Sequence, residues 1–217
     1  MRKVNDQPST TVRRRNARGQ GERLRQDILA AVGRLLDEKV ANDALPVSLR
    51  EVAREVGIAA QSMYLHFADK DELARAVTED GYERLVAAMR DADAEAVDCG
   101  ADARERLQAQ ADAYYTFART QRGVHRLMFG YDATAFGIPR DAHPARALWQ
   151  QWLAALHACE TEGRHWPDGV EHAATTLWSA LFGRFALWAS TFGEQDPEEL
   201  TVFAHRTVDT VLRGAVG

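Results

Sequence analysis

The segment Ser48–Phe67, SLREVAREVGIAAQSMYLHF, constrains the fold more than any other stretch of the chain. It opens on Ser48-Leu49-Arg50-Glu51, the Ser-x-x-Glu form in which hydroxyl and carboxylate each accept the other residue's backbone N–H. A helix therefore starts there, with Leu49, Val52, Ala53 and Val56 on its buried face. Gly57 stops it, because glycine enters the left-handed backbone region without a Cβ clash. Only a few residues later Ser62, Met63, Tyr64, Leu65 and Phe67 form a second short apolar-aromatic stretch. Two short helices joined so tightly must cross closely, and the small Ala53 sits where such a crossing needs a small side chain. The spacing is that of a helix-turn-helix; an ordinary helical hairpin satisfies it too.

The flanks are helical as well. Leu24, Ile28, Ala31, Val32 and Leu35 fall on one stripe of a first helix that ends before Asn42 to Pro46. Asp69 offers an N-cap with Glu72 at the third position, starting a long helix that runs to about residue 95 and packs through Leu73, Ala76, Val77, Leu85 and Met89. Beyond Gly100 come helical segments at roughly 102–120, 123–129, 144–162, 168–192 and 197–214. Alternating β-branched runs are absent, so the chain is all-α with about nine helices. The organisation expected is an arm over residues 1–19, a first unit over 20–80 and a helical body over 81–217. Connectors around Gly123, Gly130 to Pro139 and Gly163 to Gly169 are candidate mobile segments.

The 217 residues, 46% of them hydrophobic, suffice for one or two compact domains. No window reaches the ~20 apolar residues of a membrane helix; even Trp178 to Phe192 carries Arg184. The N-terminus lacks the apolar core and cleavage site of a secretory signal, and Cys99 and Cys159 are far apart in no metal-like spacing. A soluble, cytoplasmic protein without metal or cofactor is expected. Charge is polarised: residues 1–26 hold eight Arg or Lys against two acids, so with a net charge of −5 for the chain the remainder carries −11. A basic arm on an acidic body suits contact with a polyanion at one end, although such an arm can also be merely solubilising.

The run Leu49-Arg50-Glu51-Val52-Ala53-x-x-Val56-Gly57-Ile58-x-x-x-Ser62-x-Tyr64-x-His66-Phe67-x-x-Lys70-x-x-Leu73 resembles the N-terminal domain of the TetR/AcrR family of bacterial transcription regulators, over about residues 21–80. The resemblance implies a three-helix helix-turn-helix DNA-binding domain joined to a helical ligand-binding and dimerisation domain, in a homodimer on double-stranded DNA. It implies a recognition helix from about Ala59 to Leu65, with Ala60, Gln61 and Ser62 toward base edges. Gln can pair bidentately with adenine, and an Ala methyl can touch thymine. Tyr64 and His66 look like phosphate contacts, and Lys70 would meet a phosphate at the start of the next helix. Ser48 caps its helix and approaches the backbone. Tyr64 as a core aromatic and His66 as a packed or solvated side chain are the alternative readings.

In the body, Trp178, Leu181, Phe182, Phe185, Ala189 and Phe192, with Leu200, Phe203, Ala204, Val208, Val211 and Leu212, give the last two helices broad apolar faces. In the resembled family the last two helices form the dimer interface. Tyr114, Phe117, Met128, Phe129, Trp149, Trp152, Trp178 and Phe182 are candidates to line an effector pocket, with His125, His157 and Arg184 as its polar groups; all of them serve equally as ordinary core. The Trp178-x-x-x-Phe182-Gly183 string resembles a subset of the family that has His-Gly there, with Phe182 in place of the His. Resemblance further implies repression relieved by a small hydrophobic molecule that moves the long helix. Two rivals compete. A helical enzyme would have to use His157, Cys159, His165 and His172, whose spacing fits no familiar zinc site. A hydrophobic-ligand carrier with a degenerate DNA-binding end would not be expected to keep Tyr64, Lys70 and the basic arm together.

Overall fold

The computed structural model describes residues 20–39, 45–130, 142–190 and 196–216. The basic arm, Phe192 and the connector from 131 to 139 lie outside the described residues. Nine helices are found among those described: α1 (Gln20–Glu38), α2 (Leu49–Val56), α3 (Ala60–Met63), α4 (Lys70–Asp98), α5 (Ala103–Thr120), α6 (Arg122–Gly130), α7 (Ala145–Thr161), α8 (Val170–Ser190) and α9 (Glu198–Arg213). No described residue belongs to a strand beyond one isolated bridge between His165 and Val216.

Local chemistry sets the boundaries. The capping box of α2 is present: Glu51 N–H donates to Ser48 Oγ at 3.3 Å, and Ser48 N–H donates to Glu51 Oε2 at 2.8 Å. A second box starts α5, with Asp102 accepting from Glu105 N–H at 2.8 Å and Glu105 accepting from Asp102 N–H at 3.1 Å. At the start of α4, Asp69 accepts from Glu72 N–H at 2.7 Å, while Glu72 reaches one residue further back to Ala68 N–H at 2.6 Å. The long helix continues to Asp98, three residues past the expected end, because Gly100 at φ 78° closes it with the reciprocal backbone bonds of a Schellman turn. The third helix is shorter than expected. After Met63 the bonds tighten to i→i−3 from Leu65 and His66, turning Phe67 into the core at 1% exposure.

In the first unit, Ile28, Leu29, Val32 and Leu36 of α1 pack with Leu49, Val52, Met63, Phe67, Leu73 and Val77. This core is continuous with that of the body, where α5 lies against α4, α6, α7, α8 and α9. Tyr114, Leu107, Ala111 and Ala118 of α5 are fully buried, and so are Trp152 and Leu156 of α7. Helix α4 crosses the expected boundary at residue 80 without interruption.

Polar side chains lock the middle of the body. Arg90 donates to Gln151, Gln151 to Gln110, and Gln110 to Asp93, while Arg106 clasps Asp93 with two bonds of 2.9 Å. This chain joins α4, α5 and α7 with every link satisfied. Arg104 and Asp209 make a comparable two-bond clasp between α5 and α9, at 2.7 and 3.1 Å.

Two connectors expected to be mobile are pinned. Residues 163–169 are held by paired backbone bonds between His165 and Val216, of 2.8 and 2.7 Å, and by Trp166 Nε1 donating to Val211 O at 3.0 Å. Gly123 sits in contact with α1: a Cβ there would lie 2.5 Å from the Leu36 carbonyl carbon.

Candidate nucleic-acid interface and effector cleft

The turn between α2 and α3 is built as the sequence requires. Gly57 has φ 77°, its N–H donates to Arg54 O at 3.2 Å, and Ile58 N–H donates to Ala53 O at 2.9 Å. Ala53 is 2% exposed at the helix crossing, where a larger side chain would force the two helices apart. Met63 and Phe67 are buried and anchor α3 from beneath, and Arg25 of α1 lies 5.0 Å over the Phe67 ring. With those two side chains inward, Ala59, Ala60, Gln61, Tyr64 and Leu65 are left facing solvent.

Tyr64 is 53% exposed, so its ring is no core aromatic. Gln61 and Ala60 are exposed, Ser62 and His66 half-buried, and Lys70 half-buried in the first turn of α4. Ser48 is exposed, with its hydroxyl engaged by Glu51. Leu65, at 83%, is the most exposed large apolar side chain among the described residues and was not singled out from sequence. Its signal was available: with Met63 and Phe67 inward on a short turn, Leu65 has nowhere to go but out.

Lys39 holds this unit from behind, donating to Glu51 Oε1 at 2.7 Å and to Pro46 O at 3.2 Å. Its ammonium, with the Ser48 backbone and hydroxyl, pulls the Glu51 carboxyl from 4.5 to about 2.

In the body a cleft of about 730 Å³ lies between the end of α1, α6 and the second half of α8. Its apolar floor is Phe129, Phe182, Phe185 and His125, in ring contacts of 4.6 to 4.7 Å from His125 to Phe129, Phe129 to Phe182 and His125 to Phe185. His125 is hydrogen-bonded to the Tyr114 hydroxyl at 3.2 Å, and burial pushes its pKa from 6.5 down to about 3, so the ring is neutral. Buried Leu36 also lines it, and the exposed Asp37, Arg122 and Arg126 form the rim.

Of the residues proposed from sequence, His125, Phe129 and Phe182 line this cleft. Tyr114 stands behind His125, and Trp152 packs on Tyr114 at 6.0 Å. Trp178 contacts Phe129 at 6.2 Å. Phe117 lies under Arg84 at 5.6 Å, Met128 fills the space over Gly81, and Trp149 packs half-buried against the core. His157 is on the surface, 2.6 Å from Glu160, and Arg184 is turned to Glu199 at 3.0 Å; neither reaches the cleft. Cys159 is buried and its thiol pushed up to about 11, which leaves it protonated and unreactive at neutral pH.

Residues 42–77, which hold the whole turn and the start of α4, match the family described as bacterial regulatory proteins, tetR family, and residues 107–211 match the tetracyclin repressor-like C-terminal domain. The chain belongs to the TetR family. It is 34% identical over 110 residues to an uncharacterized HTH-type transcriptional regulator of Haemophilus influenzae, covering 50% of each chain. It is 28% identical over 131 residues to the HTH-type transcriptional activator FasR of Mycolicibacterium smegmatis, covering 60% of this chain and 56% of that one. The match thus spans about half the length of these curated relatives. A protein of unknown function from Rhodococcus sp. RHA1 shares the fold, with a TM-score of 0.71 at 23% identity over 96% of this chain and 100% of the other. TetR-family proteins are transcriptional regulators and generally not enzymes. No described helix of this member is long and apolar enough to cross a membrane.

Proposed function

We propose that this TetR-family chain is a cytoplasmic, homodimeric DNA-binding transcriptional regulator: a repressor released from a palindromic operator by a small hydrophobic molecule. The observation that carries the reading is the face of α3. Capping box, Gly57 turn and buried Met63 and Phe67 hold Ala60, Gln61, Tyr64 and Leu65 outward on a rigid support. Rigid placement of a few side chains is what reading base edges demands. Residues 20–80 serve as the reading unit, with Gln61, Ala60 and Ser62 toward bases and Tyr64, His66, Lys70 and Ser48 toward phosphates. Residues 81–217 serve as the sensing and pairing unit.

The pairing surface is the outer side of α8 and α9. Ser179, Ala180 and Gly183 form a low strip, with nothing within 4 Å of a Cβ built at Gly183, and Leu187 and Val202 stand exposed at 50% and 43% beside it. Small residues flanked by apolar ones let helices of two subunits approach closely.

The test is fluorescence anisotropy with labelled DNA from upstream of the chain's own gene, against scrambled DNA, at two salt concentrations. A complex of dimer stoichiometry that prefers the upstream DNA by about 10³ or more is the expected result for a specific reader. Weak binding, equal for both DNAs and lost in salt, would contradict it and favour a carrier of hydrophobic ligands instead.

A further inference from the structure

The cleft between α1, α6 and α8 has a composition more specific than an apolar pocket. Its floor is aromatic, and the charges on its rim are Arg122, Arg126 and Asp37. Asp37 is already used: its Oδ1 accepts the Gly123 N–H at 2.6 Å, at the start of α6. His125 is neutral in the floor. The rim therefore presents an excess of one positive charge above a hydrophobic bed, carried on Arg126 and on Arg122, whose guanidinium rests 4.9 Å over the Trp188 ring.

Arg126 has a second feature. It donates to Leu36 O at 3.3 Å and Lys39 O at 2.9 Å, the carbonyls left without helical partners at the end of α1. With Asp37 capping α6, the two helices cap each other across the contact where Gly123 touches Leu36. The same residue thus lines the cleft and holds the end of α1 to α6.

We propose that the cleft takes an amphipathic organic anion, an apolar or aromatic body with one acidic group, and that this group is read by Arg126 and Arg122. A full negative charge makes a stronger bond to guanidinium than a neutral carbonyl does. The anion competes for Arg126, withdraws it from the end of α1 and loosens the join between reading unit and body. A neutral molecule of the same shape fills the floor without drawing on Arg126. Equal affinity for both arrangements would shift nothing, so the acidic group is what makes the ligand an effector. This last step rests on the regulator reading; the ligand preference does not.

The experiment uses a matched pair of fluorescent probes, 1-anilinonaphthalene-8-sulfonate and its uncharged parent N-phenyl-1-naphthylamine, titrated into the full chain. The sulfonate is expected to bind about tenfold or more tighter than the amine, as a charge-assisted bond predicts. Arg126→Gln should bring the two affinities together while leaving the amine unchanged, and Arg122→Gln should narrow the gap, which keeps the test decisive if the first variant folds poorly. Ala189→Trp, which fills the cleft from α8, should weaken both probes. Equal binding by the parent, a gap that survives both arginine substitutions, or a sulfonate indifferent to Ala189→Trp would each overturn the proposal. In a parallel anisotropy assay the sulfonate, and not the amine, should release specific DNA. If the chain binds no specific DNA at all, the regulator reading fails, while the probe ratios still decide the cleft.

Discussion

The proposed contacts from α3 and the start of α4 divide into two energetic roles. In the reading proposed above, Tyr64 and Lys70 contact phosphates and hold the duplex without reading it, so Tyr64→Ala and Lys70→Ala should weaken binding about equally on all sequences. Loss of the Lys70 charge should also lower the salt slope by about 1. A salt series by anisotropy checks both. Two of the described groups with shifted titration bear on acid behaviour. Glu51 titrates near 4.5 when unfolded and about 2 when folded, so its contribution is full above 4.5 and disappears as the pH falls toward 2. His125 binds a proton below 6.5 in the unfolded chain and only near 3 in the folded one, so protonation favours unfolding increasingly over that window. Urea midpoints measured from pH 7 to pH 4 should fall for the parent, and less steeply for His125→Phe; an unchanged slope would count against the neutral, buried imidazole.

At the level of helices, the same substitution should act by different physics at two glycines. Gly57 has φ +77° with open space around it, so Gly57→Ala meets only the left-handed backbone penalty, about 1–2 kcal/mol. Gly123 has ordinary dihedrals, but a Cβ would fall 2.5 Å from Leu36 backbone, so Gly123→Ala must push α6 off α1. Its cost, about 1–3 kcal/mol as for other overpacked contacts, should come with altered DNA affinity, whereas restoring space with Leu36→Ala would not help because the clash is with main chain. Denaturant midpoints and anisotropy on both variants separate these cases. The contrast shows what the sequence makes legible. The start of α2, its stop at Gly57 and the Asp69 cap are local, each decided by residues within one turn, and were read correctly. The seat of α6 was not, because Leu36 and Gly123 meet only in the folded chain and nothing in either segment announces the other. The pocket was legible only in part for a related reason. Aromatic girth in Tyr114, Trp152 and Phe117 signals burial, and the fold uses those rings as solid core; the open space instead lies where α1 meets α6 and α8.

For the whole molecule, a short recognition helix gains specificity by being doubled, with two copies reading half-sites about one helical turn apart. Leu187→Glu, on the exposed outer side of α8, should convert the proposed dimer to a folded monomer in sedimentation and remove sequence-specific binding while leaving the circular dichroism of the helices intact. A dimer that persisted would place the pairing surface elsewhere. The central claim is that the outward face of α3 reads base sequence, and the direct test is selection of preferred sites from a random DNA library by the parent chain and by Gln61→Ala. The account predicts a palindrome for the parent and, for the variant, the same palindrome with preference relaxed at one symmetric position in each half-site, costing about 1–3 kcal/mol there. No enriched site, or an identical site for both proteins, would contradict it.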